Sequence, residues 1–274
     1  MYHYIKYFII SSLTLSISCK NKTVETHSTS GKPNTVSVII DDDLWNGEIG
    51  DSLRNKFAAP VIGLPQEEPI FTINQFPVKL LEGFMTNSRN IIVIKRDKSQ
   101  FQIIENEFAK PQNVIHISGN SIVEIVDSLE VNANKIIQKI HQTEIVEYQK
   151  TIKKAQIKNK KNQKKINILI DIPKNYKYVI RKSKFVWLKK EVSSGNLSLI
   201  AYQIPLNHIK SIKNQSKQII KTRDSISNLY IHGSSNNAQM LTDLTFSPLT
   251  IETEIDQKKA FETKGLWNIN SDFM

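Results

Sequence analysis

The chain contains a single cysteine, Cys19, so disulfide bridges within the chain cannot stabilise its fold. A hydrophobic core must do so alone, and the hydrophobic content of 39% is ordinary for a globular protein. Lys6, the apolar residues 7–17 and the small residues before Cys19 form a pattern that is typical of a secretory signal peptide. A cysteine at the end of such a segment predicts a bacterial lipoprotein that is cut before Cys19 and acylated on its sulfur.

Two alternatives compete with this interpretation. A transmembrane anchor needs about 20 apolar residues, and the apolar run is nearer half that length. A secreted protein with a chance cysteine is the second, because Ser16 stands where lipoproteins usually carry Leu. We favour a signal peptide over 1–18 and a lipidated, flexible tether over 19–32. The expected location is the cell envelope, on the inner or outer membrane and facing the periplasm.

The net charge of +11 is concentrated in one block. Residues 150–190 hold 15 Lys or Arg and one acid, Asp171, which gives 15 − 1 = +14. Removing this block and Lys6 leaves 11 − 14 − 1 = −4 for the remainder of the chain. Such a block can attract the phosphate groups of lipid or lipopolysaccharide, although charge runs usually face water, and we favour a solvated surface.

The first part of the mature chain alternates β-branched runs with helical patterns. Strands are expected at 35–40, 70–76, 90–95 and 114–118, and a short helix at 78–85. We interpret Asp41, Asp42 and Asp43 as the N-cap and first turn of one helix that continues through Phe57, in preference to a cation site.

Apolar residues then recur at spacings of three and four, which predicts a long amphipathic helix. They are Ile122, Val126, Leu129, Ala133, Ile136 and Ile140. Beyond His141 the pattern shifts to a second set, which comprises Ile145, Tyr148, Ile152 and Ala155. The sequence leaves open whether one helix moves its buried stripe or two helices meet there.

From residue 166 onward strand patterns dominate, with one helix expected between Ile209 and Ile226. The strands are expected at 168–172, 176–181, 185–189, 197–204, 249–255 and 260–269. The predicted class is α+β. An N-terminal α/β domain over 33–160 ends in the long helix, and a mainly antiparallel β-rich domain with one helix covers 161–274.

No Walker loop, dinucleotide fingerprint or Gly-x-Ser-x-Gly elbow is present, so we assign neither a catalytic residue nor a cofactor. The six histidines lack metal-binding spacing, and we assign no metal site. Isolated cations can clamp an anion and tryptophans can support a ligand, although ion pairing and core packing are the alternatives we favour. The candidate ligand-binding residues on these grounds are Trp45, Arg89, Arg223, Lys264 and Trp267, and Asp42 joins them from the acidic cluster.

Three stretches carry a resemblance to a known family. The first holds Ser30-Gly-Lys-Pro33, Asp42, Trp45, Gly47 and Gly50, and the second Ala59-Pro60, Gly63-Leu-Pro65, Glu68-Pro69 and Arg89-Asn90. The third holds Glu262-Thr-Lys-Gly-Leu-Trp267 and Asp272-Phe-Met274. Together they resemble the Gram-negative lipoprotein family known only as domain-of-unknown-function family 4837. The resemblance implies an envelope location, and the family has no assigned activity that could indicate a mechanism. Its members usually continue past the Gly-Leu-Trp segment with further strands, which leaves open a truncated last sheet.

We therefore expect a membrane-anchored, non-catalytic binding or envelope-support module. One alternative is an enzyme of unrecognised class in which Asp42, Arg89 and Lys264 converge on one pocket. Another is a basic docking module for anionic lipid or lipopolysaccharide. The sequence identifies no protein partner. Nucleic acid is not an expected partner, because residues 153–165 contain no aromatic side chain that would stack on bases.

Overall fold

The computed structural model describes residues 27–158, 168–205, 215–233 and 238–270. Cys19, the predicted domain boundary near residue 160 and the first part of the helix expected from Ile209 lie outside the described residues. The N-terminal region (27–158) contains a five-stranded sheet with helices, and the C-terminal region (168–270) contains small antiparallel sheets and one helix. The predicted α+β class is confirmed.

The N-terminal region is organised around four parallel strands and one antiparallel edge strand. Its strands are β1 (His27–Ser28), β2 (Thr35–Ile39), β3 (Thr72–Phe76), β4 (Asn90–Arg96), β5 (Gln100–Glu105), β6 (Ala109–Lys110) and β7 (Asn113–Gly119). The main sheet has the order β3-β2-β4-β7-β5, with β5 antiparallel to β7. A separate parallel pair, β1 and β6, fixes the beginning of the described chain.

Alternation along the strands gives the main sheet two different faces. Val36, Val38 and Ile40 point to one face, where they join the large core against the helices. On the other face, Ile39 joins a smaller cluster with Ile91, Val93 and Val114. The helices α1 (Asp42–Trp45), α2 (Glu48–Phe57) and α3 (Ile122–Lys154) all follow strands of this sheet. Two short 3-10 helices lie between β3 and β4, at Val78–Leu80 and Gly83–Asn87.

The single helix predicted from Asp42 to Phe57 is wrong, because α1 and α2 are separate helices. The chain turns at Asn46 and Gly47, and this turn brings Gly50 against the end of α1. A Cβ atom on Gly50 would lie 1.7 Å from the Trp45 carbonyl oxygen, so only glycine fits there. The first-turn position of Asp42 and Asp43 is confirmed. Asp41 is the N-cap residue, but its side chain makes no capping hydrogen bond.

The long amphipathic pattern forms one continuous helix, α3, rather than two. Ser121 caps it by accepting a hydrogen bond from the Glu124 N–H at 3.2 Å. The predicted seam is fully buried from Leu129 to Ile140, whereas Ile122 and Val126 are partly buried and Ile125 is the fully buried residue of the first turns. The buried stripe of α3 then continues to Glu144, which lies four residues after Ile140, and does not shift to the second apolar set. Ile145 and Tyr148 of that set are 57% and 59% exposed.

The C-terminal region is made of smaller units. Its elements are β8 (Lys177–Arg181), β9 (Phe185–Val192), β10 (Gly195–Tyr202), α4 (Gln215–Tyr230), β11 (Gln239–Asp243), β12 (Leu249–Ile255), β13 (Lys258–Lys264) and β14 (Leu266–Asn270). The strands form a β10-β9-β8 sheet and two separate pairs, β11-β14 and β12-β13, all antiparallel. Ile172, Val186 and Leu188 form its small core cluster.

Three other local predictions are wrong, and the strands β5, β6 and β11 were not predicted. Residues 168–172 form no strand, and the strand expected over 260–269 is divided between β13 and β14 at Gly265. The helix expected over 78–85 is replaced by the two 3-10 helices. The alternation of Phe101 and Ile103 with Gln100 and Gln102 in β5 is a signal that was missed.

Candidate functional site

Polar side chains gather at the amino ends of β2 and β3, on the sheet face that points away from α2 and α3. Thr35 pairs with Thr72 and Ser37 pairs with Asn74 across the two parallel strands. Paired residues share a face and alternate residues of a strand point the same way, so the four side chains form one polar patch.

A turn and a 3-10 segment surround this patch and close a cavity of about 470 Å³, which we call the amino-edge pocket. The turn contains Ser30, Gly31 and Lys32, and the Ser30 N–H donates to the Asn87 carbonyl oxygen at 2.8 Å. Ser88 and Arg89 complete the wall. The lining residues include two cations, Lys32 and Arg89, and no carboxylate. The pocket is therefore electropositive and rich in hydrogen-bond donors.

Arg89 is held in place by a buried carboxylate on α3. Its Nη1 donates to Glu144 Oε2 at 2.6 Å, and the Glu144 side chain is only 7% exposed. Asn90 Nδ2 donates to the other oxygen, Oε1, at 2.9 Å, and Asn113 Nδ2 donates to Asn90 Oδ1 at 2.9 Å. The chain of hydrogen bonds ties α3 to the first residues of β4 and β7, so the guanidinium is positioned by rigid elements.

Gln112 fixes the backbone beside Arg89. Its Nε2 donates to the carbonyl oxygens of Thr86 at 2.6 Å and Ser88 at 2.7 Å, and its Oε1 accepts from the Phe108 and Ala109 N–H groups. This buried amide is fully bonded, and we interpret it as a structural support for the pocket wall.

Sequence reasoning identified Arg89 but missed Glu144, Asn90 and Gln112. One signal for Glu144 was present, because it lies four residues after Ile140 and eight after Ile136, on the buried stripe of α3. An acid on an apolar stripe indicates a buried ionic partner. Nothing in the sequence identified that partner as Arg89, because the pairing depends on how α3 crosses the sheet.

Asp42 and Trp45 lie at the opposite edge of the sheet from Arg89. Asp42 follows the carboxyl end of β2, whereas Arg89 precedes the amino end of the parallel strand β4. Asp42 accepts a hydrogen bond from Gln75 Nε2 at 2.9 Å. The Trp45 ring packs against the core, with the Arg54 guanidinium 4.6 Å from its centroid.

The other three candidates lie in the C-terminal region. Arg223 Nη2 donates to Asp224 Oδ1 at 2.6 Å and to Thr242 Oγ1 at 2.5 Å. Trp267 is 50% exposed and pairs with Thr242 across β14 and β11, which brings it to the same sheet face as this ionic cluster. Lys264 pairs with Glu262 at 3.4 Å.

The cluster around Arg223 borders a second cavity of about 860 Å³, which Asp224 lines. Burial raises the pKa of Tyr202 above its ordinary value of 10.0; the Arg223 charge opposes this rise and the Asp224 charge adds to it. None of the cavities described here is lined by more than one of Asp42, Arg89 and Lys264. The structure does not bring these three residues together.

Part of the basic block forms a second cationic site. Lys177 and Lys189 stand directly opposite each other on β8 and β9, and with Lys190 and one acid, Glu191, they line a cavity of about 390 Å³. Like charges in directly opposed positions destabilise a strand pair. Within the described part of the chain, none of these three lysines forms an ion pair.

Two further properties apply to the described ranges alone. In residues 27–158, 168–205, 215–233 and 238–270, no helix combines the length and apolar character needed to cross a membrane. In the same residues, no group of three or more His, Cys, Asp or Glu side chains is placed to hold a metal ion.

Comparison with known families divides the chain at the end of α3. Residues 29–153 match the family model described as Domain of unknown function (DUF8532), and residues 153–274 match Domain of unknown function (DUF4837). The resemblance to family 4837 is thus confirmed for the stretch near Trp267, whereas the stretches around Trp45 and Arg89 lie in the part that matches the other family. No curated protein and no solved structure gives a significant match.

Proposed function

We propose that this protein is a lipid-anchored, non-catalytic binding module of the bacterial cell envelope. The observation that supports it best is the amino-edge pocket, which a rigid sheet and a buried ionic network hold in place. Ligand pockets in proteins have volumes of about 300–1,000 Å³, and the volume of about 470 Å³ lies within that range.

The anchor that we propose on Cys19 is compatible with the position of the pocket. Ser30, on the pocket wall, follows Cys19 by 30 − 19 = 11 residues. A fully extended chain of that length spans at most about 40 Å. An acylated Cys19 therefore keeps the pocket within that distance of the membrane surface, where it meets envelope components.

The chemistry of the pocket favours binding over catalysis. General acid–base catalysis needs a group that titrates near the working pH, most often His, Asp or Glu. The residues that line the pocket include none of these three, and Lys32 and Arg89 are cations at neutral pH. The lining groups can hold a ligand by charge and hydrogen bonds.

Two experiments test the proposal. Mass spectrometry of the protein from native membranes should show a mature chain that begins at an acylated Cys19; an unmodified Met1 in a soluble fraction would overturn the anchor.

Thermal-shift screening of the full chain in detergent against envelope glycans, lipids and peptides should identify a stabilising ligand. That stabilisation should fall when Asn74→Ala opens the pocket floor. Turnover of a screened compound would instead show an enzyme.

The opposed lysines on β8 and β9 favour a second candidate function, which is docking onto anionic envelope surfaces. An anionic surface would relieve the repulsion between Lys177 and Lys189. The double variant Lys177→Gln/Lys189→Gln should lose preference for phosphatidylglycerol over phosphatidylcholine vesicles at low salt. The charge-matched variant Lys95→Gln/Lys98→Gln, in the N-terminal region, is the control. An unchanged preference in the first variant would dismiss the docking role.

A further inference from the structure

We infer that the amino-edge pocket binds a phosphate group, gripped by Arg89 and Lys32, and that Glu144 is the residue that positions Arg89 for this contact. The inference rests on the proposed binding function and assigns its ligand chemistry. It follows from three properties of the pocket: its unused donors, its charge, and the way that Arg89 is held.

The first property is the number of donors without partners. A guanidinium carries five N–H donors, and Arg89 uses one of them in an observed hydrogen bond, from Nη1 to Glu144. Its Nε is buried without a partner. The amide N–H groups of Gly31 and Lys32 also donate to no acceptor among the described residues. A buried donor without a partner indicates a missing acceptor, and the N–H groups of Gly31 and Lys32, which are exposed, can exchange water for the oxygens of the same ligand.

The second property is charge. Lys32 and Arg89 contribute two positive charges, and Glu144 behind the wall offsets one of them. Hydroxyl groups of Ser30, Thr35 and Thr72 add further donors. A phosphate group offers three acceptor oxygens and up to two negative charges, whereas a carboxylate offers two oxygens and one charge. The donor supply of this pocket exceeds what a carboxylate can accept.

The third property is the attachment of Arg89 to Glu144. One carboxylate oxygen holds Nη1 of Arg89, while Asn90 holds the other oxygen. The guanidinium is thereby fixed before a ligand arrives, which lowers the conformational entropy lost on binding. Arginine held in this way suits bidentate recognition of phosphate. Glu144 contacts Arg89 and acts through it, so its role is positioning.

Two sources can supply such a phosphate group near a membrane: a lipid headgroup or a soluble phosphorylated sugar. Apolar side chains of Pro33, Phe76 and Met85 also line the pocket, and they offer a surface to the carbon atoms next to the phosphate. The shared chemistry is a phosphate ester, and the ligand series below separates the sources.

The test is calorimetric titration of the full chain in detergent micelles with four probes: sn-glycerol 3-phosphate, dihexanoyl phosphatidylglycerol, glucuronate and glucose. We expect glycerol phosphate to bind at least about tenfold more tightly than glucuronate, and glucose not to bind. Tighter binding of the short-chain lipid than of glycerol phosphate would indicate a lipid source, and equal binding a soluble one. Equal affinity for glucuronate or glucose overturns the phosphate assignment.

Variants locate the site. Lys32→Gln changes an exposed side chain that has no ion-pair partner among the described residues, and it should weaken glycerol phosphate binding about tenfold. Arg89→Gln alone leaves Glu144 without its ion-pair partner and can impair folding. The double variant Arg89→Gln/Glu144→Gln, which removes both charges, is therefore measured as well. Lys98→Gln, at the opposite sheet edge, removes the same charge and should bind like the wild type. Wild-type binding by both Lys32→Gln and the folded double variant overturns the inference.

A third variant tests the role of Glu144. Glu144→Asp keeps the negative charge but shortens the side chain by one methylene group and withdraws the carboxylate from Arg89, so phosphate affinity should fall while circular dichroism stays unchanged. A purely structural role would lower stability and leave the affinity of the folded protein unaltered. Failure of this inference is distinguishable from failure of the proposed function. If a neutral glycan binds and Asn74→Ala removes that binding, the pocket is a ligand site but not a phosphate site.

Discussion

The N-terminal and C-terminal regions differ most in how much apolar surface they bury. Of the 30 buried hydrophobic residues among the described ones, 23 lie in residues 27–158 and 7 in residues 168–270. The difference follows from architecture. In the N-terminal region one sheet face and the helices α1, α2 and α3 enclose one large core, whereas the C-terminal region divides its strands among three small sheets. Separate two-stranded units bury little surface and are marginally stable alone.

This difference shows where a precise binding site can form. A site must be held within a fraction of an ångström by packed elements, and the amino-edge pocket lies on a sheet whose opposite face packs against the larger core. The cavity beside Arg223 is larger but stands on α4 and short strand pairs. The N-terminal region should therefore hold its site rigidly, and the C-terminal region should open first on heating or with denaturant.

The largest expected contrast comes from two leucines that are equally buried in the two regions. Leu53 is 0% exposed in the large core, and Leu188 is 1% exposed in the small one. Leu53→Ala should cost about 4 kcal/mol, because the dense surroundings cannot collapse into the cavity, and Leu188→Ala about 2 kcal/mol. Urea unfolding with region-resolved hydrogen exchange measures both. Equal losses would show that the small core is as tightly packed as the large one.

A second contrast compares two acids on α3. Glu144→Ala strands the Arg89 charge at the wall of the core and should cost about 3 kcal/mol. Glu147→Ala removes an ion pair with Lys150, which is 60% exposed, and should cost less than about 1 kcal/mol. Both changes have the same effect on helix propensity. The difference between the two variants in the free energy of unfolding therefore reports the contribution of burying the ion pair. Similar costs would mean that the network around Glu144 adds nothing to stability.

A third contrast lies within the N-terminal region. In an exposed helix, Gly→Ala stabilises by up to about 1 kcal/mol. At Gly50 the sign should reverse, with a loss of about 2 kcal/mol, because the new Cβ meets the Trp45 carbonyl oxygen. The matched variant is Gly47→Ala, whose Cβ would lie 3.5 Å from its nearest neighbour, and it should cost less than about 1 kcal/mol. Thermal unfolding of both variants measures the two changes in stability. A stabilised Gly50→Ala variant would refute the close contact between residue 50 and the Trp45 carbonyl oxygen.

The sequence predicted elements that depend on local pattern and failed where distant parts of the chain meet. The strand around Ile92 is a continuous apolar run, and those around Val38 and Ile115 are rich in β-branched residues, so each could be found from its local pattern. The break between α1 and α2 was missed, because the role of Gly50 depends on its contact with Trp45.

The candidate site shows the same limit. Arg89 could be chosen as an isolated cation before a strand, but its partner Glu144 is 55 residues away in the sequence. The polar patch on β2 and β3 depends on a strand pairing that no local pattern reveals. Conversely, Asp42, Arg89 and Lys264 were grouped on residue type alone, and the fold separates them.

The smallest expected effect is a pH dependence that belongs to the N-terminal region. His141 on α3 is half-buried, with the Phe71 ring edge-on at 5.0 Å between centroids. Burial lowers the pKa of His141 below its ordinary value of 6.5, and the Glu144 charge opposes this shift in part. The unfolded chain therefore takes up this proton at a higher pH than the folded chain does. The stabilisation is complete above about pH 6.5 and is lost as the pH falls towards the lowered pKa.

Urea unfolding at a series of pH values between 7.5 and 5 should thus show stability decreasing on acidification in the N-terminal region. His141→Gln should reduce that slope, because glutamine cannot take up the proton, while carboxyl groups elsewhere titrate equally in both proteins. Subtracting the stability–pH curve of the variant from that of the wild type gives the contribution of His141. An identical slope in the variant would place the pH dependence on other groups, and a slope confined to the C-terminal region would contradict the assignment of this titration to α3.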